Sequence, residues 1–190
     1  MEPSMDIVDV LSEEHAALRS VAASIGVAGG ATGVFREDAW VAYLELSDRV
    51  VRHEIAEELV VFPLLPADPE GAAAGRSPLE DHSTFEHLLE LLDREEFGSS
   101  VFAREQMRLI RELMEHLDME ETRVFPMISA RLGRGRRIEL AHQFRRVVRS
   151  APPVSGSSRA RIPHRPTIVA RTSALAVWMR DVAHSTGVAR

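Results

Sequence analysis

The stretch His53-Glu54-Ile55-Ala56-Glu57-Glu58-Leu59-Val60-Val61-Phe62-Pro63 recurs 63 residues further on as His116-Leu117-Asp118-Met119-Glu120-Glu121-Thr122-Arg123-Val124-Phe125-Pro126. Six of the eleven positions are identical, among them the histidine, the paired glutamates and the proline. A shorter echo stands upstream of each copy, Glu13-Glu14-His15 and Glu80-Asp81-His82, offset by 67 residues. Two similar hairpins packed together would produce this pattern, and a site between them has pseudo-twofold symmetry.

The periodicity around these motifs is helical. Val8, Leu11, His15, Leu18, Ala22 and Ile25 recur at alternating steps of three and four, as do Tyr43, Leu46, Val50, His53, Glu57, Val60 and Leu64. His82, Phe85, Leu89 and Leu92 form a third seam, and Phe102, Leu109, Leu113, His116, Glu120 and Met127 a fourth. Such spacing lays residues on one stripe facing a core. The third helix is expected to open with Ser77 as N-cap and Pro78 at its first position, the fourth with Ser99 or Ser100 as cap. Gly/Pro-rich breaks at 26–33 and 66–78, and the turn Phe97-Gly98-Ser99-Ser100, separate the segments. No strand signal competes, so the fold class is all-α, an antiparallel up-down four-helix bundle.

Polar residues interrupt the apolar seams at matched places: His15, His53 and Glu57, His82, His116 and Glu120. An uncompensated buried polar group costs about 2–7 kcal/mol, so six in one core must meet each other or a cation. Imidazole and carboxylate are ligands of first-row transition metals, and residues at i and i+4 project from one helix face. Each His-x-x-x-Glu pair can supply one nitrogen and one oxygen. Four nitrogens and two shared carboxylates suit two adjacent ions better than one. The competing reading is a metal-free helical interaction module with satisfied core histidines.

Composition narrows the chemistry. Across 190 residues there is no cysteine, which removes disulfides, thiolate zinc sites and cysteine-held iron–sulfur clusters. All 23 basic residues are arginine, so Schiff-base and P-loop lysine chemistry are excluded. Glu-x-x-His, the spacing of ferritin-like di-iron bundles, occurs only as Glu139/His142, and His53-Glu54-x-x-Glu57 lacks the second histidine of a zincin helix. Residues 1–126 carry a balance of −17 and residues 127–190 one of +11. We therefore divide the chain into a bundle, 1–130, and a basic extension, 131–190, with one or two short helices (138–149 and 172–184) around a Pro/Ser/Arg linker at 151–166. The extension is expected to pack on the acidic bundle with Trp178 as an anchor; nucleic acid binding, which lacks aromatic interleaving here, is not expected. The first fifteen residues carry acids and no basic start, unlike a signal peptide. The charge-free run Ser20–Phe35 is too short and too glycine-rich to span a membrane. Cytoplasmic residence is expected.

The constellation His15, His53-x-x-x-Glu57-Glu58 with Phe62-Pro63, Glu80-Asp81-His82, and His116-x-x-x-Glu120-Glu121 with Phe125-Pro126 resembles the hemerythrin-like (HHE cation-binding) family over about residues 5–130. The resemblance implies a bundle holding a non-haem di-iron centre with an oxo or hydroxo bridge. By that resemblance His15 and His53 hold one iron, His82 and His116 the other, and Glu57 and Glu120 bridge them. Oxygen-carrying members have a fifth histidine one turn after the third-helix histidine; here Glu86 stands there, and His87 lies on another face. The pattern is closer to iron- and oxygen-sensing hemerythrin-like domains, in which a glutamate directly after the second-helix histidine also coordinates. Glu54 holds that place, and is either a further ligand or an exposed helix acid; Glu86 is a second possible additional ligand. Glu58 and Glu121 are read either as partners of ligand imidazoles or as surface acids, and the two Phe-Pro pairs as kinks or helix ends.

The expected function is binding or sensing of dioxygen, peroxide, nitric oxide or iron at that centre, with no dedicated catalytic residue. The alternative is a di-iron peroxidase or catalase-like enzyme acting on hydrogen peroxide.

Overall fold

The computed structural model describes residues 5–28, 37–64 and 69–150. Helix α1 spans Ile7–Ala28, α2 Glu37–Val60, α3 Pro69–Arg94 and α4 Ser100–Met119. A π-helical turn, Glu120–Val124, links α4 to α5, Phe125–Arg131, and α6 follows over Arg134–Ser150. No strand occurs among the described residues. The four long helices form the expected all-α bundle, with α1 packed on α2 and α3 on α4.

Local sequence explains the helix starts. Asp6 caps α1, accepting from Val8 N at 2.9 Å, while Asp9 Oδ2 accepts from Asp6 N at 2.9 Å; this reciprocal pair satisfies donors the first turn leaves open. Ser99 caps α4 through Phe102 N at 3.0 Å. Gly98, at φ +84°, makes the turn before it, a backbone region open to glycine at little cost. The third helix differs from expectation. It begins at Pro69, and Pro78 lies inside it, not at its first position. Pro69 offers the same preference for a helix start, and Ala72-Ala73-Ala74 carry the strongest helix propensity. Pro78 is thus accommodated within the helix, without the N–H that a main-chain bond would use.

Two apolar clusters fill the interior. One gathers Ile7, Leu11, Ile55, Val60, Phe62, Val124, Phe125 and the α6 residues Leu140, Ala141, Phe144 and Val147. The other gathers Leu18, Tyr43, Leu46, Val50, Phe85, Leu88, Leu89, Leu92, Phe102, Leu109, Leu113 and Leu117. Along α1 the change from one to the other falls between Leu11 and Leu18, and along α2 between Val50 and Ile55. His15 and His53 stand at those changes.

Beyond residue 130, α6 runs a few residues longer than the expected 138–149 helix and packs on α1 and α2. Its apolar face enters the first cluster. Its arginines meet the acids of α1, Arg137 Nε with Asp6 Oδ2 at 2.8 Å and Arg145 with Glu13 at 3.3 Å. The 151–166 linker, the 172–184 helix and Trp178 lie outside the described residues.

Candidate metal centre

One turn of each long helix delivers a polar residue into a core that is otherwise apolar. His15, His53, Glu57, His82, His116 and Glu120 are each at most 4% exposed. Glu57 lies between the two hairpins, with Oε1 3.2 Å from His53 Nε2 and Oε2 3.5 Å from His82 Nε2. Glu120 does the same for the other two, its Oε2 lying 3.4 Å from His15 Nε2 and 3.5 Å from His116 Nε2. Each carboxylate therefore touches one histidine from each pair expected to share an ion.

Three of the histidines are held from behind by an acid. His15 Nδ1 meets Glu121 Oε1 at 2.9 Å, His82 Nδ1 meets Glu58 Oε1 at 3.0 Å, and His116 Nδ1 meets Asp81 Oδ2 at 3.2 Å. An ionised carboxylate only accepts, so Nδ1 donates in each of these contacts, and whenever the ring is neutral its Nε2 lone pair faces the centre. Glu58 and Glu121 are thus partners of the buried imidazoles. Asp81, visible in the sequence only as part of the short echo, is a third. Arg19 adds a further layer, donating to Glu121 and to Asp118 at 2.6 Å each. The phenylalanines of the repeat also act across the bundle, Phe62 stacking on His82 at 5.2 Å and Phe125 on His15 at 5.0 Å.

The two Phe-Pro pairs resolve differently. After Glu57 the α-helix ends at Val60 and Phe62–Leu64 form a 3₁₀ turn. After Glu120 the chain stays helical through a π turn, with Phe125 N bonded to Glu120 O. Pro126 lacks an N–H and its ring would crowd the Thr122 carbonyl in a regular α-helix, so the wider turn accommodates it. Glu120 opens that π turn.

Burial and neighbouring charge sort the protons. Burial, joined by the nearby His53, pushes the His15 imidazole down to about 4, and burial also lowers His116. For His82 burial opposes the cation, but the Glu54 carboxylate and the bonds to Glu57 and Glu58 overcome it, pushing the ring up to about 11. Burial opposes ionisation of Glu57, yet His53 and His82 hold it well below the usual carboxylate range. Burial and the adjacent Glu57 push Glu120 well above that range. Two carboxylates so close in a dry core do not both ionise without a compensating cation.

A cation fits the groups present. All four Nε2 atoms, Glu57 Oε2 and both Glu120 oxygens are buried with no hydrogen-bond partner among the described residues. They fall into two sets whose ligand atoms lie within 4.8 Å of one another, His15/His53/Glu57/Glu120 and Glu57/His82/His116. Glu57 belongs to both. Glu54 is partly buried; its Oε1 is buried and unpartnered, and burial pushes its carboxyl up to about 8. Glu86 is exposed and belongs to neither set.

A family model of the hemerythrin HHE cation-binding domain matches residues 6–128. The chain belongs to that family, whose domain binds cations. No curated protein and no solved structure gives a significant match. Among the described residues no helix is long and apolar enough to cross a membrane.

Proposed function

We propose that this chain is a cytoplasmic di-iron protein that binds or senses dioxygen, peroxide, nitric oxide or iron supply. His15 and His53 would hold one iron and His82 and His116 the other, with Glu57 and Glu120 as the carboxylates shared between them. The observation that supports this most directly is the convergence of four unpartnered buried Nε2 atoms on two buried carboxylates. Iron there would supply a redox-active pair able to take a small ligand. The protein's own part is to orient the imidazoles through Glu58, Asp81 and Glu121, and to keep water out with the two apolar clusters.

Peroxide disproportionation is the second reading, and Glu54 is the observation that favours it. A partly buried carboxyl with one buried, unpartnered oxygen, whose charge acts on His82, is suited to carrying a proton beside the centre. Purified protein loaded anaerobically with iron(II) tests both. Two irons per chain, lost in His116→Ala, with absorption bands that respond to dioxygen or nitric oxide, support sensing. Oxygen evolution from peroxide above that of free iron, falling in Glu54→Gln, supports turnover. A protein that takes up no metal would return it to the class of helical interaction modules.

A further inference from the structure

The repeat pairs His15 with His82, His53 with His116, Glu58 with Glu121, and Glu14 with Asp81. The first of these relations is kept in the contacts, since Glu58 backs His82 and Glu121 backs His15. Asp81 backs His116, so by the same symmetry Glu14 should back His53. It does not. His53 Nδ1 is buried without a hydrogen-bond partner among the described residues. Against that ring lies Phe144 of α6, fully buried, with centroids 5.8 Å apart and ring planes at 74°. Helix α6 stands outside the repeat, so nothing in the other hairpin corresponds to it.

We infer that Phe144 is a positioning residue of the metal centre: it fixes the His53 ring by packing where a carboxylate fixes the other three, which makes the His15/His53 ion the one whose binding depends on α6. The inference rests on the two-ion reading above. An aromatic edge or face restrains an imidazole plane without adding charge. A backing carboxylate also raises the basicity of the ligand nitrogen, and His53 lacks that assistance. Its orientation therefore rests on Phe144 and on His15, whose ring lies 5.0 Å away. Helix α6 is well placed for the task. Arg52, the residue before His53, donates to Val148 O at 2.9 Å, and Arg137 and Arg145 fasten the same helix to α1.

The test compares Phe144→Ala and Phe144→Leu with Val147→Ala, a buried residue of the same helix face with no ring contact to a ligand. Iron(II) is titrated anaerobically against a competing chelator, and bound iron per chain is counted. Wild type and Val147→Ala should bind two ions. Phe144→Ala should retain one with near wild-type affinity and bind the other about tenfold or more weakly, the lower end of the effect of losing an imidazole's supporting partner. Phe144→Leu, which preserves most of the packing volume, should fold in any case and give a smaller loss confined to the same ion. In the metal-free proteins the ring ¹⁵N shifts of His53 should move in Phe144→Leu while those of His82 and His116 stay. Two ions bound at unchanged affinity in Phe144→Ala, or equal weakening of both ions in each α6 variant, overturns the inference alone. A wild-type protein that binds no iron overturns the two-ion reading and the inference with it.

Discussion

The two copies of the eleven-residue motif begin alike and end in opposite electrostatic states. In the first, Glu57 lies between His53 and His82 and is held ionised; in the second, Glu120 lies between His15 and His116 and is pushed toward its neutral form. The main-chain geometry after them also differs, a 3₁₀ ending in one and a π turn in the other. Sequence identity in a repeat thus sets which groups meet, while the surroundings set how protons and charge are shared among them. Glu57 sits at the junction of both ligand sets, and Glu120 belongs to one.

Substituting the two bridging acids separates these roles and carries the largest expected effect. Glu57→Ala should lose the His82/His116 ion, which keeps only two ligands, and weaken the other, to which His15, His53 and Glu120 still offer three. Glu120→Ala should keep the ion on Glu57, His82 and His116 and only weaken the other, left with His15, His53 and Glu57. Metal counting after gel filtration reads the difference. Thermal unfolding gives a second measure: free metal at a hundredfold its dissociation constant stabilises a native state by about 2.7 kcal/mol per site. That increment should appear for two sites in wild type, for one site in full and a second in reduced size in Glu120→Ala, and for at most one reduced site in Glu57→Ala. Equal metal content in the two variants would erase the distinction drawn between them.

Much of this was legible in the chain itself. Four three–four seams defined the bundle, and histidine or glutamate at seam positions marked all six buried residues, because a polar group on an apolar stripe needs a partner. The partners were less visible. Glu58 and Glu121 could equally have been surface acids, since both remain partly exposed at 33% and 37%. Asp81 backs a histidine 35 residues away on another helix, which no local spacing encodes. Phe144 lies in a segment whose arginines dominate its composition, and only the packing of α6 on α1 and α2 brings it to His53. The start of α3 was misplaced because Ser77-Pro78 carries a strong local helix-start signal, but Pro69 and the alanines after it extend the helix upstream.

The pair Asp81 and Glu14 gives an intermediate effect and a sharper test of the broken symmetry. Asp81→Asn removes the charge behind His116 and should weaken metal binding by about 10–100-fold, the usual consequence of losing a carboxylate behind a ligand imidazole. Glu14→Gln at the equivalent position should leave affinity unchanged, because His53 takes no bond from it. Chelator competition measures both. A comparable loss in the two variants would mean that Glu14 supports His53 after all.

Arg19 supplies the smallest effect, and its logic comes from the same repeat. Its counterpart at an offset of 67 residues is Glu86, so the His15 end of the centre has a cation behind its supporting acid and the His82 end an anion nearby. Burial raises the Glu121 carboxyl, but the bonds from Arg19 and His15 outweigh it and hold Glu121 below its usual range. Arg19 is 31% exposed and Glu121 37%, so water screens much of the attraction. Exposed pairs of this kind contribute about 0.2–1 kcal/mol. Arg19→Met, which keeps an unbranched apolar stem, should therefore cost at most about 1 kcal/mol in chemical denaturation and lower the affinity for one ion about fivefold at most. The sign of its pH dependence follows from the lowered Glu121: the contribution is full above the unfolded carboxylate range and fades as pH falls through the lower folded value. The difference in stability between wild type and Arg19→Met should accordingly shrink on acidification. A gap that widens instead would show that Arg19 acts through packing on α1, with its charge at Glu121 irrelevant to the centre.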